Sequence, residues 1–335
     1  MRPCSPMRPW RPIRSWNCIL VNKMVCVAVF LLVTMNCAGC SGSRSSEVKT
    51  DAYDHVIGVS MINMVEPWLY NLAQVMTDMA DHDANVNLIL LDAANNSQKQ
   101  AEDISSLMNN GIDLLIMASD GSDTVDAIQH EVYEKIPVIA VGIQPHSDDY
   151  TTLIQADDLK IGQIAGEYIL EHFYHLGDKV VVMQGVQNSP ISLKRLEGFK
   201  SCAADKIPER DISYYEGEWM KDRAELRLKD YLVSKGKPDI IFAFNDDMAF
   251  GCYTACRQLR VSQIPQIIGV DGFEGGGETA GRQLLDKGIL LATIKSPDFG
   301  ALAYDTALKI LDGQETDRQM SVVPQLIDQV QADPD

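Results

Sequence analysis

Short apolar runs alternate with longer amphipathic stretches along most of the chain, beginning near Val56. Runs such as "VNLILLD" and "DLLIMA" are almost wholly apolar, which is typical of strands buried on both faces of a parallel sheet. The stretches between them repeat apolar residues at helical spacing. The alternation indicates βαβ units, and because it starts again near residue 155, it predicts two doubly wound α/β lobes.

The periodicity also predicts where the elements lie. Helices are expected over residues 67–81, 98–109, 124–134, 159–174, 192–204, 221–234, 248–259 and 299–311. One more helix is expected after Gly277, followed by a strand at "LLATIKS" and a short strand near Val322. The tail is interpreted as crossing between the lobes more than once.

The first 39 residues read as a leader. The first 23 contain five basic residues and no acid, and the apolar run that follows, 24–35, is shorter than the roughly 20 residues that span a bilayer. Such a run suits a secretion signal. It ends in "CAGC", where Ala38 and Gly39 precede Cys40 and resemble the lipobox of bacterial lipoproteins, although Cys37 stands where a Leu is usual. Cys40 is therefore the expected lipid attachment; the alternative is a plain secretory signal or short anchor with an incidental cysteine.

The remaining cysteines and the net charge narrow the function classes. Apart from the four cysteines of the leader and Cys40, the chain has only Cys202, Cys252 and Cys256, too few for a disulfide framework. Cys252 and Cys256 are one helical turn apart and are expected to be buried thiols, although a bond from Cys202 to either stays open. The net charge of −18 disfavours binding to nucleic acid or anionic lipid headgroups.

Polar residues stand at the carboxyl ends of several predicted strands, where ligands of open parallel sheets bind. These residues are Asp92, Gln144, Gln184, Asn245, Asp246, Asp247 and Asp271. Asp246 or Asp247 is expected to cap the helix over 248–259, as Asp commonly does. Asn245 and Asp271 are expected to face a ligand, because two different strands end in the same way.

Several segments together carry a resemblance to a known family. "NNGIDLLIM", "IQADDLKIGQIAGEYI", "KRLEGF", "FAFNDDMAFG", "IIGVDG" and "LLATI" occur in an order and at spacings that resemble those of periplasmic sugar-binding proteins of the ribose/galactose-binding type. The resemblance runs from about Val56 to Val323. It implies two lobes joined by three crossovers, closing on one small ligand without a cofactor. It also implies a monomer that serves an ABC permease, or alternatively a chemoreceptor or sensor kinase.

The leader and the resemblance together divide the chain into four parts, and the resemblance implies a set of ligand contacts. The parts are a signal peptide over 1–39, a tether over 40–54, an N-terminal lobe over 55–156 plus 297–324, and a C-terminal lobe over 157–296 plus 325–335. The implied contacts are Asn63, Trp68, Gln144, Arg195, Trp219, Asn245, Asp271 and Ser296. Trp68 and Trp219 would sandwich a sugar ring while polar groups hold its edges. Alternatively, Arg195 is a surface cation and the tryptophans are packing residues.

One departure from the family bears on the ligand. Gly142, Ile143 and Gln144 stand where ribose-type members have an Asp-Arg pair after the strand "VIAV", and Gln144 would substitute only in part. The expected ligand is therefore less polar or differently hydroxylated than ribose or a common hexose. Candidates are a deoxy sugar, a polyol or a linear furanone-derived signal.

Other function classes are disfavoured by the residues. A sugar-responsive repressor shares this fold but has a helix-turn-helix domain where this chain has its leader. An enzyme using Asp247 and Asp271 as acid and base lacks a serine elbow, a cofactor fingerprint or a metal cluster beside them. The loop "FEGGGETAG" lacks the Lys-Ser/Thr of a phosphate loop, and His172 and His175 lack a third metal ligand.

Overall fold

The structure is a computed structural model that describes residues 53–274, 277–296 and 298–329. All of them belong to one compact unit, residues 50–335. The predicted signal peptide, most of the predicted tether and Cys40 lie outside the described residues.

The strands form two six-stranded sheets, one per lobe. In chain order the strands are β1 His55–Met61, β2 Val86–Asp92, β3 Leu114–Ala118, β4 Val138–Val141, β5 Thr152–Ala156, β6 Val180–Gln184, β7 Ile212–Glu216, β8 Ile240–Ala243, β9 Gln266–Asp271, β10 Ala292–Lys295, β11 Gln319–Val322 and β12 Gln325–Asp328. The first sheet has the order β11-β5-β4-β3-β1-β2 and the second β12-β10-β9-β8-β6-β7. The two doubly wound lobes confirm the predicted fold class.

Apart from β12, the strands of both sheets are parallel, and because helical crossovers cover both faces of such sheets, the central strands are buried on both sides. In the first lobe Ile57 of β1 pairs in register with Leu114 of β3, and every residue of β3 and β4 is buried. In the second lobe Val180 of β6 pairs with Ile240 of β8, and β8 is wholly buried. Only β12 runs antiparallel to its neighbour, β10, among the strand pairs of the described residues.

The helices cover both faces of the sheets. They are α1 Pro67–Asp81, α2 Ser97–Asn109, α3 Asp123–Tyr133, α4 Asp158–His172, α5 Pro190–Ala203, α6 Lys221–Lys235, α7 Asp246–Gln258, α8 Gly281–Asp286 and α9 Phe299–Leu311, with a one-turn 3-10 helix at Glu209–Asp211. The bounds of α1 and α9 agree with the prediction, and most others differ from it by one or two residues. The beginning of α7 was predicted two residues too late, because Asn245, not either acid, is its N-cap.

The chain passes between the lobes three times. It crosses from β5 to α4 at Asp157, from β10 to α9, and from β11 to β12 at Val323 and Pro324. The last crossing pairs β11 with β5 in one lobe and β12 with β10 in the other. Three adjacent crossovers form a hinge that leaves the space between the lobes open to a ligand.

Packing settles the open question on the cysteines. Cys202, Cys252 and Cys256 are free thiols, so neither possible disulfide forms. Burial raises the pKa of Cys252 strongly and that of Cys256 to about 11, which keeps both thiols protonated in the core. Within the part of the chain that the structure describes, no helix is long and apolar enough to cross a membrane.

Candidate ligand-binding site

A cavity of about 350 Å³ lies between the lobes. Its lining comes largely from the segments that follow the carboxyl ends of strands in both sheets, as expected for open parallel sheets. The volume is in the range of small-molecule sites. Both lobes therefore present their strand ends to one space between them.

Seven of the eight residues implied as ligand contacts line this cavity. They are Asn63, Trp68, Arg195, Trp219, Asn245, Asp271 and Ser296. Gln144 does not join them: it is exposed, and Gly142 and Ile143 of the same turn line the cavity instead. The expectation that Gln144 substitutes for the missing Asp-Arg pair has no support from this geometry.

Arg195 is held by buried partners and is not a surface cation. It is 7% exposed, its Nε donates to Oδ1 of Asp158 at 2.8 Å, and its Nη1 donates to the carbonyl of Phe244. Burial raises the pKa of Asp158, and the Arg195 guanidinium opposes that rise. A guanidinium has five N–H donors, so donors remain for a ligand after these two bonds.

A close helix crossing places Asp158 beside Arg195. Gly198 of α5 faces Leu159 of α4 so closely that a Cβ on it would lie 2.0 Å from the Leu159 carbonyl oxygen. Gly162 of α4 meets the Arg195 carbonyl oxygen in the same way, also at 2.0 Å. Only glycine permits this approach, which brings the start of α4 against the first half of α5.

Asn245 serves the fold and faces the cavity. Its Oδ1 accepts the Met248 N–H at 2.8 Å as the N-cap of α7, and its Nδ2 donates to the Trp219 carbonyl at 2.9 Å. One amide hydrogen and one lone pair are left over. The two acids that follow accept hydrogen bonds from groups outside the first turn of α7. Asp246 accepts from the Gly272 N–H and the Thr293 hydroxyl, and Asp247 accepts from the Lys221 N–H. The expectation that Asp246 or Asp247 caps the helix is wrong for this reason.

Asp271 presents a buried carboxyl group to the cavity. It is 4% exposed, and no hydrogen bond to its side chain occurs among the described residues. Burial raises its pKa to about 7, while the nearby Arg195 guanidinium opposes the shift and the Asp247 and Asp158 carboxylates add to it. Its φ of 110° lies in the region that favours glycine, so the backbone is strained where the carboxyl group is delivered.

Aromatic rings form opposite walls of the cavity. From the first lobe, Trp68 packs edge-on against Phe299 with ring centroids 5.5 Å apart. From the second lobe, the Trp219 ring lies over Gly185, where a Cβ would come within 2.0 Å of it. The Arg195 guanidinium is 5.6 Å from the centre of the Trp219 ring. Both tryptophans line the site in addition to packing.

Asn63 organises the first-lobe loop that enters the cavity. Its Oδ1 accepts from the N–H groups of Val65 and Glu66, and its Nδ2 donates to Glu66 Oε1 at 3.1 Å. Glu66 also lines the cavity, and burial raises its pKa although the Asn63 hydrogen bond opposes this. Most of the hydrogen-bonding capacity of Asn63 is therefore used inside the loop, and Glu66 carries the free acceptors.

Several lining residues were not predicted from the sequence. Those that carry polar or aromatic groups are Glu66, Asn95, Ser119, Asp120, Asp158, Gln187, Asn188, Ser189 and Phe299. Ser119 and Asp120 directly follow β3, so the strand-end rule applied to "DLLIMASD" would have found them. Glu66 precedes a helix and Phe299 begins one after a crossover, and neither position carries a strand-end signal.

Comparisons with known proteins agree with this architecture. A family model described as a periplasmic binding protein domain matches residues 57–315. The ribose import binding protein RbsB of Bacillus subtilis is 25% identical, over 90% of this chain and 96% of that protein. Its counterpart from Escherichia coli K12 is 28% identical, over 72% of this chain and 80% of that protein.

Solved structures show the same fold. The fructose-binding periplasmic domain of a hybrid two-component system superposes with a TM-score of 0.73 at 27% identity, covering 83% of this chain and 92% of that one. A solute-binding protein of an ABC transporter from Bacillus halodurans, solved with myo-inositol, also gives 0.73, at 19% identity and with 84% and 97% covered. With two parallel-sheet lobes and a cavity between them, the chain belongs to the periplasmic binding proteins of type I, an exported family of binding proteins.

Proposed function

We propose that this protein binds a small sugar or polyol in the cavity between its lobes and delivers it to an ABC transporter. The observation that carries the proposal is the convergence of aromatic walls and polar strand-end groups from both lobes on one cavity. Relatives named as ribose import binding proteins, and a structural neighbour that binds fructose, support it.

The residues suggest how such a ligand is held. The rings of Trp68 and Trp219 contact the C–H faces of the ligand, since aromatic faces suit the apolar surfaces of a sugar ring. Arg195 and Asn245 donate to its oxygen atoms from the second lobe, and Asp271 accepts from its hydroxyl groups. Ser296, at the second crossover and 5% exposed, adds a hydroxyl next to the hinge.

Binding of this kind favours closure of the lobes. A ligand that touches both lobes stabilises the closed arrangement over the open one, by the difference in its affinity for the two. The three crossovers provide the hinge for such a motion. The relatives are binding proteins, so we assign no reaction to the site.

A second candidate function is ligand sensing without transport. The structural neighbour that binds fructose is the periplasmic domain of a hybrid two-component system, so this fold also serves sensors. In that case closure on the ligand signals to a chemoreceptor or sensor kinase. Loss of ligand uptake on deleting the protein supports transport, whereas normal uptake with loss of a transcriptional response supports sensing.

The leader supports export and lipid attachment at Cys40. The basic start, the apolar run and the small residues before Cys40 are the basis of this proposal. Residues 1–39 would be removed, and the tether would link the lipid to the lobes. A Cys40→Ser variant should leave the membrane fraction for the soluble one; unchanged membrane retention would show that Cys40 is not the anchor.

The test of ligand binding is a thermal-shift screen of the purified protein with pentoses, hexoses, deoxy sugars, polyols and furanone signals. A ligand at a hundred times its Kd adds about 2.7 kcal/mol to the free energy of unfolding, which raises the Tm visibly. A strong hit within one of these classes is the expected result. No shift from any compound at millimolar concentration would contradict the proposal.

A further inference from the structure

The charges of the cavity lining are unbalanced towards acid. Four acids line it, Glu66, Asp120, Asp158 and Asp271, whereas Arg195 is the only Lys or Arg in the lining that the described residues provide. The Arg195 guanidinium already donates to Asp158 at 2.8 Å, so this cation is balanced by its own partner. An anionic ligand would therefore meet a net negative lining.

Two of the acids, Glu66 and Asp271, have acceptors that are free to bind a ligand, whereas Asp120 is largely used. Asp120 is exposed and accepts from Ser97 Oγ and the Ser122 N–H. Within the described chain, Glu66 accepts a hydrogen bond only from Asn63. Asp271 is 4% exposed, and its side chain accepts no hydrogen bond there. A buried acceptor that faces a cavity without a partner is costly, so a ligand that brings donors and positive charge relieves the cost.

Among the described residues, the part of the lining that comes from the first lobe has no positively charged side chain. The Oδ1 of Asn63 accepts from two backbone N–H groups, and its Nδ2 donates one hydrogen to Glu66. Ile62, Leu69 and Ile143 are apolar neighbours in the lining. A ligand facing this wall must supply donors to Glu66, and an ammonium group supplies three together with a charge. Trp68, in the same lining, offers an aromatic face that also attracts a cation.

We propose that the preferred ligand is a polyhydroxylated compound that carries an amino group, an amino sugar or amino polyol, with its ammonium paired to Glu66. Asp271 and Arg195 then hold hydroxyl groups from the second lobe. This inference rests on the proposed function and specifies its ligand class. Glu66 is the residue that selects the amine over the corresponding hydroxyl compound.

The experiment is isothermal titration at pH 7 with pairs that differ only in an amino or hydroxyl group. The pairs are D-glucosamine and D-glucose, D-galactosamine and D-galactose, glucamine and sorbitol, and scyllo-inosamine and scyllo-inositol. At least one amine should bind about tenfold more tightly than its hydroxyl partner, because an ammonium–carboxylate ion pair replaces a hydrogen bond from a neutral hydroxyl to Glu66. N-acetylation of that amine should abolish the preference, and D-glucuronate should not bind.

Two variants assign the preference to Glu66. Glu66→Gln keeps an acceptor for Asn63 but loses the charge, so the ratio of the amine's affinity to that of its hydroxyl partner should fall about tenfold. Glu131→Gln makes the same change at an exposed position of α3 and should leave both affinities unchanged.

Each outcome decides between the two proposals. Tighter binding of the hydroxyl compound in every pair would overturn the amine inference and leave the proposed function standing. An amine preference that survives in Glu66→Gln would overturn the role of Glu66. No binding by any compound of either kind would overturn the inference, whereas the proposed function would be overturned only if the wider thermal-shift panel also gave no shift.

Discussion

Asn245 illustrates how one side chain is used both to build α7 and to face the cavity. Its Oδ1 caps the helix through the Met248 N–H, and its Nδ2 fixes the loop that carries Trp219. The remaining amide hydrogen is available to a ligand. Removing the side chain therefore affects stability and binding by separable amounts.

Replacing Asn245 separates these two roles. Asn245→Ala should lower the free energy of unfolding by about 1 kcal/mol through the lost cap, and weaken binding by about 1–3 kcal/mol. Asn245→Ser keeps a capping oxygen but has no amide donor, so it should retain most of the stability and still lose affinity. Urea unfolding and calorimetric titration measure the two quantities. Full affinity in Asn245→Ser would remove this residue from ligand contact.

Asp271 should make stability depend on pH. Its folded-state pKa of about 7 is above the ordinary 3.8, so between these values the folded protein holds a proton that the unfolded chain releases. The free energy of unfolding contributed by this group therefore falls as pH rises through that window. Asp271→Asn removes this pH-dependent loss of stability, and Asn tolerates the positive φ at this position.

The expected result is a gain in stability at the cost of binding. Without ligand, Asp271→Asn should be more stable than the parent at pH 8, by on the order of 2 kcal/mol, and nearly equal to it at pH 4. Its ligand affinity should fall. Urea unfolding at several pH values measures this, with Asp81→Asn at an exposed position of α1 as the control. Parallel pH profiles for the parent and Asp271→Asn would contradict the argument.

At the scale of single residues, the polar residues that follow buried strands could be predicted from the sequence. Which of them caps a helix and which faces the cavity could not. Asn245 and Asp271 were identified because buried strands end at them. The capping role of Asn245 was given instead to Asp246 or Asp247, since all three are good caps and only the backbone decides which is used. Glu66 was missed because it lies before a helix, where an acid ordinarily reads as a solvated residue.

At the scale of elements, the crossing of α4 and α5 determines the position of Arg195. The crossing depends on Gly162 and Gly198, each facing a backbone carbonyl of the other helix. Any side chain at these positions forces the helices apart. Because Asp158 begins α4 and Arg195 lies on α5, their ion pair reports the spacing of the helices.

Gly198→Ala tests this dependence. We expect it to lower the free energy of unfolding by about 1–3 kcal/mol through overpacking, and to weaken ligand binding by displacing Arg195. Gly177→Ala is the control: it introduces a Cβ at a positive φ with no atom within 4 Å, so it carries backbone strain without a clash. Equal affinities for the two variants would show that the crossing does not position the site.

Most helices and strands were predictable, because the spacing of apolar residues in the sequence matches the residues that are buried in the structure. The bounds of α1 and α9 follow from their apolar spacing, Pro67 and the cap at Asp298. The strand β12 was not predicted as an element. Its sequence "QLID" is short and half-buried, and its pairing with β10 depends on a long-range contact that local pattern does not encode.

At the scale of the whole molecule, the three crossovers join the lobes at the hinge, and the cavity lies between the lobes. Ligand binding should therefore reduce the radius of gyration measured by small-angle X-ray scattering, because closure brings the lobes together. The Asn245→Ala variant at the same ligand concentration should show a smaller decrease in proportion to its weaker binding. An unchanged radius in the saturated parent protein would contradict closure.

The lobes and their order were predictable from the repeated βαβ pattern, whereas the composition of the cavity was not. A cavity combines residues that are distant in the chain, such as Trp68 and Phe299, whose contact depends on the packing of α9 against the first lobe. Gln144 shows the converse, since a strand-end position does not ensure that a side chain points into the space between lobes.

The most direct test of the central claim is the Kd of the best ligand from the screen for Trp68→Ala and Trp219→Ala, measured by calorimetry. These residues belong to different lobes and line the same cavity, so each variant should weaken binding by about 1–3 kcal/mol. Tyr133→Ala, on α3 and outside the lining, is the control. Weakening by both tryptophan variants is the result predicted for a ligand held between the lobes; an unchanged Kd in either would contradict it.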